Sequence, residues 1–303
     1  MVLNNLFPVF ALILFGVLLK RWRLTDGVFL KTADKLTYYI FFPLLLFWKI
    51  GGASTVLFSN SGLYKAVFCT VFAVYVLSTL FIILFKVPDF QAGTFSQSCY
   101  RFNSYIGVAI ILNALGEEGI KHFAILISMI IPIINVLCVS TLAWFSEKNM
   151  LPVKRLAQTA KALISNPLIL ACIGGILYAK VWRGFPPFID NALKLSSAVA
   201  LPLAMLSIGG ALTLKTVRDH FKMSLISSVF KLLMLPTFGY CFLMWFGVSG
   251  LIFKVGLIYC ALPTSPALYI LSSQLNSDTD LASASIAMST MLSFISLSIA
   301  LLL

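Results

Sequence analysis

Charge is scarce in this chain. Only 11% of its 303 residues are Asp, Glu, Lys or Arg, against about 25% in ordinary globular domains. Acid is the scarcer sign, with ten Asp and Glu against 22 Lys and Arg. All ten acidic residues read as connection or helix-end positions, so no paired-carboxylate proton or sodium site is predicted within an apolar segment. The six cysteines, Cys69, Cys99, Cys138, Cys172, Cys241 and Cys260, stand singly and form no CxxC pair. That excludes a disulfide framework or a zinc spacing and leaves them as small buried hydrophobes. His122 and His220 both fall in connections or at helix ends. Without paired carboxylates, a His/Cys constellation or a Gly-rich catalytic motif, an enzyme is not expected, nor any metal or cofactor. The net charge of +12 is not accompanied by aromatic-rich basic arms or RNP-like motifs, which argues against nucleic acid. The N-terminus has no basic n-region or small-residue cleavage site, so the first helix is expected to stay.

What the chain has instead is apolar length. Hydrophobic residues make up 60% of it, and its mean hydropathy is +1.00. A bilayer core of roughly 30 Å takes about 20 residues of helix, and only helices or closed barrels satisfy their backbone there. The runs are continuous rather than alternating, which excludes a barrel. Ten spans are predicted, near 5–20, 33–50, 65–86, 98–115, 120–146, 160–180, 187–212, 219–247, 250–274 and 279–302. Lys and Arg on connections 1–2, 3–4, 5–6, 7–8 and 9–10 total 14, and those on the other four total 7, with Lys231 inside the eighth span. The positive-inside rule makes the richer side cytoplasmic and puts both termini outside, in a bacterial-type cell membrane.

Helix breakers recur at one offset. Pro8, Gly16, Pro43 and Gly51 reappear 159 residues on as Pro167, Gly175, Pro202 and Gly210. Five spans per half is an odd number, so a direct duplication gives two inverted repeats, 1–147 and 156–303, the ground plan of a secondary transporter.

Two spans carry breaks at matching places. The fourth contains Arg101-Phe102-Asn103-Ser104-Tyr105-Ile106-Gly107, and the ninth contains Pro263-Thr264-Ser265-Pro266, with Gly107 and Pro266 on the same offset. Pro263 and Pro266 cannot both continue a straight helix, and Asn103 and Ser104 favour caps. An interrupted helix at membrane depth is costly unless it lines a buried cavity, and its half-helix N-termini suit an anion. Asn135 is an isolated amide in the fifth span, either part of this site or a bond to a neighbouring helix. Arg101 is the cation best placed for a substrate carboxylate, but the pattern favours a topology charge that snorkels to the interface. Lys49 and Lys231 are weaker candidates of the same kind. Asn166 reads as a helix cap, and Ser283, Ser285, Ser289, Thr290 and Ser293 as small-residue packing.

The tract 101–107, the Ser165-Asn166-Pro167 start, the run Leu201–Gly210 and Ala261-Leu262-Pro263 with the tail through Asp278 resemble the auxin efflux carrier family over essentially the whole chain. The resemblance implies an all-α membrane protein with ten transmembrane helices in two inverted five-helix repeats. Spans 1, 2, 6 and 7 would form a scaffold that mediates homodimerisation, and spans 3–5 and 8–10 a moving core. The broken fourth and ninth helices would cross at the substrate site. The candidate residues are Asn103, Ser104, Gly107, Asn135, Pro263, Thr264, Ser265 and Pro266. The expected function is a carrier for a small organic anion such as a mono- or dicarboxylate, with a proton or sodium ion left open as coupling ion. The alternative is a ligand-binding membrane sensor that moves nothing.

Overall fold

The computed structural model describes residues 2–52, 61–146, 165, 167–182, 184–211 and 214–303. The expected boundary between repeats, 147–156, and the expected cap Asn166 lie outside the described residues. Among the described residues all regular structure is helical, apart from one isolated antiparallel bridge between Phe102 and Thr264.

The chain opens with α1 (Val2–Arg21). Asp26 then caps α2 (Gly27–Leu36) by accepting the Phe29 N–H at 2.7 Å, two turns before the predicted start of this span. The helix continues through a π-turn, π1 (Thr37–Phe41), into α3 (Phe42–Gly51). Next come α4 (Ser61–Leu84), α5 (Asp89–Tyr100) and α6 (Ser104–Ser146). Within α6, Gly116 bends the chain at φ 66°, a left-handed conformation that glycine alone adopts without strain. Then follow α7 (Pro167–Val181), α8 (Pro187–Ala198), α9 (Ala200–Ala211), α10 (Leu214–Asp219) and α11 (Phe221–Val229). A second π-turn, π2 (Phe230–Met234), leads into α12 (Leu235–Trp245). The chain closes with α13 (Gly250–Ala261), α14 (Ala267–Gln274) and α15 (Thr279–Leu302).

Both π-turns have one cause. Pro43 and Pro236 follow them by two residues, and proline offers no N–H and crowds the carbonyl four residues back. The wider turn absorbs that ring: the Phe42 N–H bonds the Thr37 carbonyl and the Leu235 N–H the Phe230 carbonyl, each five residues back.

Six helical stretches among the described residues are long and apolar enough to cross a membrane: Leu3–Arg21, Ser61–Leu84, Ser104–Leu142, Pro187–Gly210, Phe221–Trp245 and Thr279–Leu302. The expected second span is divided by π1 and the fourth and ninth by their breaks. The sixth begins in residues outside those described. The largest correction concerns the fourth span, predicted from 98. Its first leg is α5, a helix so polar (Gln91, Thr94, Ser96, Gln97, Ser98) that it reads as a connection, yet every residue from Ala92 to Tyr100 is buried.

Contacts divide the chain into two compact units, each discontinuous in sequence: Met1–Ser61, Tyr105–Met129 and Ile164–Leu212 form one, and Gly62–Ser104, Ile130–Leu163 and Thr213–Leu303 the other. In the first, α1 packs along α9 and α3 along α7. Both contacts run over glycines of the 159-residue register. A Cβ on Gly16 would strike the Leu206 backbone, and one on Gly175 would sit 2.9 Å from Ile50 Cβ and 3.2 Å from the Phe47 carbonyl oxygen. Small residues let membrane helices approach this closely. Lys20 Nζ donates to the Gly210 carbonyl at 2.7 Å, and Trp48 Nε1 to Asp190 at 2.7 Å. Lys49 pairs with Glu117 at 2.6 Å, which removes it from the candidate substrate cations.

In the second unit α5 is the element around which α11, α14, α15 and π2 pack. Its polar face is bonded to protein. Thr94 shares hydrogen bonds with Ser272 and Ser277, both at 2.8 Å, and Gln97 Nε2 donates to Ser272 Oγ at 3.1 Å. Gln91 Nε2 donates to Asp278 at 2.9 Å, while the other Asp278 oxygen caps α15 through the N–H groups of Asp280 and Leu281.

Gly16→Val tests the close approach in the first unit. Because the obstacle is backbone, the variant is expected to lose about 1–3 kcal/mol of stability, read as a lower melting temperature in detergent. Wild-type melting would contradict the packing described.

Candidate functional site

The expected breaks are both present, and they meet. The fourth span stops as helix at Tyr100 and resumes at Ser104; the ninth stops at Ala261 and resumes at Ala267. Phe102 and Thr264 pair as an antiparallel bridge, with the Asn103 N–H donating to the Pro263 carbonyl at 2.8 Å. A helix leaves its last four carbonyls and first four N–H groups without intrahelical partners, and at these breaks side chains take several of them. Thr264 Oγ1 donates to the Ser98 carbonyl at 2.9 Å, and Ser296 Oγ to the Ala261 carbonyl at 2.9 Å. Ser289 Oγ accepts the Thr264 N–H at 3.1 Å, and Ser265 Oγ accepts the Ala267 N–H at 3.3 Å as α14 begins.

The candidate residues thus fall into place unequally. Asn103, Pro263 and Thr264 form the pairing itself and are buried. Half-buried Ser104 opens α6, and Ser265 and half-buried Pro266 open α14. Asn135 joins through Arg101, whose Nη2 donates to Asn135 Oδ1 at 3.2 Å and whose Nη1 donates to Gln97 Oε1 at 3.4 Å. Asn135 thus bonds across to the residue that follows α5, and two amides hold Arg101 beside the pairing. Gly107 lies buried in the first turn of α6 and takes no part in the Phe102–Thr264 pairing itself.

Sequence reasoning missed three contributors. Ser289 reads as a packing residue on α15 and Ser296 is not singled out, and the signal for them is only that their hydroxyls recur on one helical face. Gln97 lay in a stretch assigned to a connection. Among the described residues, no group of three or more His, Cys, Asp or Glu could hold a metal ion. A groove of about 430 Å³ is lined by Ile82, Ile83, Lys86, Val87, Pro88, Asp89 and Phe145, and includes no residue of either break.

Electrically the arrangement separates sign. α6 and α14 begin at the breaks and present N-terminal, partly positive ends, about half an elementary charge each, with Arg101 beside them. Helix N-termini are in general favourable places for negative charge. Thr264→Val keeps shape but removes the bond to the Ser98 carbonyl, and leaving that carbonyl buried without it is expected to cost about 1–3 kcal/mol. A thermal melt in detergent measures this, and an unchanged midpoint would mean the hydroxyl does not hold the breaks together.

No curated protein matches the chain. The family described as Membrane transport protein matches residues 146–301, more than half of its length and a stretch that holds the second break, Ser289 and Lys231. That family comprises transporters, not enzymes, and several apolar helices make the chain a multi-pass membrane protein. The chain belongs to this family of membrane transport proteins, within the auxin efflux carrier and bile/arsenite/riboflavin transporter superfamily.

Proposed function

We propose that the chain is a secondary carrier that moves a small organic anion, a mono- or dicarboxylate, across a cell membrane by alternating access. The observation that carries the reading is the backbone pairing of two helix breaks, Asn103 N–H to Pro263 carbonyl, with two half-helix N-termini and Arg101 beside it. A break that only kinked a helix for packing would need neither a partner break nor a cation.

In this reading ten spans form two inverted five-helix repeats, 1–147 and 156–303, with both termini outside. Support comes from Gly16 and Gly175, 159 residues apart, which serve the equivalent contacts α1 with α9 and α7 with α3. The scaffold comprises spans 1, 2, 6 and 7 and offers the homodimer surface, while spans 3–5 and 8–10 move. In favour of that division, α1–α3 and α7–α9 share one compact unit and α4, α5 and α11–α15 the other, while α6 is divided, with 105–129 in the first and 130–146 in the second. The substrate carboxylate is received by Arg101, Asn103, Ser104, Ser265 and the N-termini of α6 and α14.

Counterflow in proteoliposomes with a panel of labelled mono- and dicarboxylates tests this. Wild type is expected to show saturable exchange with at least one acid. Asn103→Ala is expected to reduce it at least tenfold with insertion and melting retained, and Arg101→Gln to raise the half-saturating concentration at least tenfold. Saturable binding without flux would favour a sensor instead. Wild-type exchange in both variants would remove the breaks from the substrate site.

A further inference from the structure

One charged side chain of the second unit takes no part in the site above. Lys231 stands in π2, inside the apolar stretch Phe221–Trp245, and is fully buried at 0% exposure. Its Nζ has no hydrogen-bond partner among the described residues. Lysines in membrane helices ordinarily snorkel to an interface or pair with an acid; this one does neither.

The elements packed on π2 explain what Nζ meets. From α5 the facing titratable group is Cys99, and from α13 it is Cys260. Tyr100 and Tyr259 adjoin these thiols in sequence, and the Tyr259 ring packs at a tilt against Phe102 of the break. α15 carries no titratable side chain beyond Asp280 in its first turn, and α11 offers only exposed Lys222. On α12, Tyr240 packs edge-on to Phe253 and Cys241 is exposed. α4 touches π2 through Phe81, and its titratable residues, Tyr64, Lys65, Cys69 and Tyr75, include no acid. On α5 and α13 the remaining charged residues are Asp89, in the first turn of α5, and half-buried Lys254. No carboxylate therefore faces Lys231 among the described residues.

Cys99 and Cys260, the thiols that face Nζ, each lie in the last turn before a break, on two helices that pack against π2. A helix C-terminus carries roughly half a negative charge, which favours an ammonium in its neighbourhood. An ammonium buried without a partner is costly, whereas a neutral amine escapes that cost. A buried lysine without a bonded partner beside two helix breaks is thus poised between the two forms. π-turns also recur at functional positions.

We propose that Lys231 carries the coupling proton of this carrier, its amine taking one proton from water on the loading side and releasing it on the other. Loading forms an N–H bond as a hydronium O–H bond breaks, release to water reverses both, and a monocarboxylate crossing with that proton makes a neutral pair. The inference rests on the organic-anion reading. Linkage makes it reciprocal: if anion at the breaks favours the ammonium, the ammonium favours the anion.

The experiment is acid uptake into proteoliposomes driven by an imposed pH gradient, with counterflow measured alongside. Wild type is expected to accumulate the acid under the gradient with sodium absent. Lys231→Arg keeps a fixed charge, because guanidinium does not deprotonate in proteins. It is expected to retain counterflow but lose gradient-driven accumulation at least tenfold. Lys231→Met is expected to lose accumulation equally, with counterflow insensitive to pH. Accumulation at wild-type level in either variant, or wild-type exchange with no response to the gradient, would overturn the proposal. If wild type exchanges no acid at all, the organic-anion reading fails by itself. The Lys231 side-chain ¹⁵N resonance, assigned against Lys231→Arg, then decides the present point. A switch between ammonium and amine as pH is varied supports a proton carrier, and a fixed form overturns it. The same wild-type resonance serves if Lys231→Met does not fold.

Discussion

Interrupting a helix inside an apolar protein releases backbone groups that no water can satisfy, and the second unit is organised around meeting that demand. Each break answers the other, since the Asn103 N–H finds the Pro263 carbonyl and Phe102 lies against Thr264. The remainder falls to hydroxyls: Thr264 on the Ser98 carbonyl, Ser289 on the Thr264 N–H and Ser296 on the Ala261 carbonyl. That is why α15 is rich in serine on its buried face. It also places α5, polar along its length, against α14 and α15 rather than against lipid.

The parts of this arrangement that the sequence makes legible are those set by backbone chemistry. Two prolines three residues apart, Pro263 and Pro266, cannot lie in one straight helix, and Asn103-Ser104 favours a cap, so both breaks could be read directly. α15 runs over the predicted 279–302 because Asp278 is a strong cap ahead of an apolar run. Harder to read was whatever depends on partners. Hydropathy measures transfer into lipid, whereas α5 transfers into protein, where Thr94, Gln97 and Gln91 find hydroxyls and a carboxylate from far along the chain. Arg101 illustrates the same point. As a sequence feature it resembles an interfacial charge, and only the approach of Asn135 and Gln97 shows what retains it beside the break.

Charge is also unevenly placed. The second unit holds Arg101 beside its helix breaks and Lys231 in π2, and neither is neutralised by a carboxylate among the described residues. Helix N-termini at α6 and α14 add to the positive side of the pairing. On the reading proposed above, an anion is the cargo that complements these positive groups.

The most direct test of this account is a cryo-EM structure with a transported acid bound at saturation. The account predicts density for the acid between Arg101, Asn103 and Ser265, with the Phe102–Thr264 pairing kept. Density at another place, with the residues around the paired breaks unchanged and empty, would contradict it.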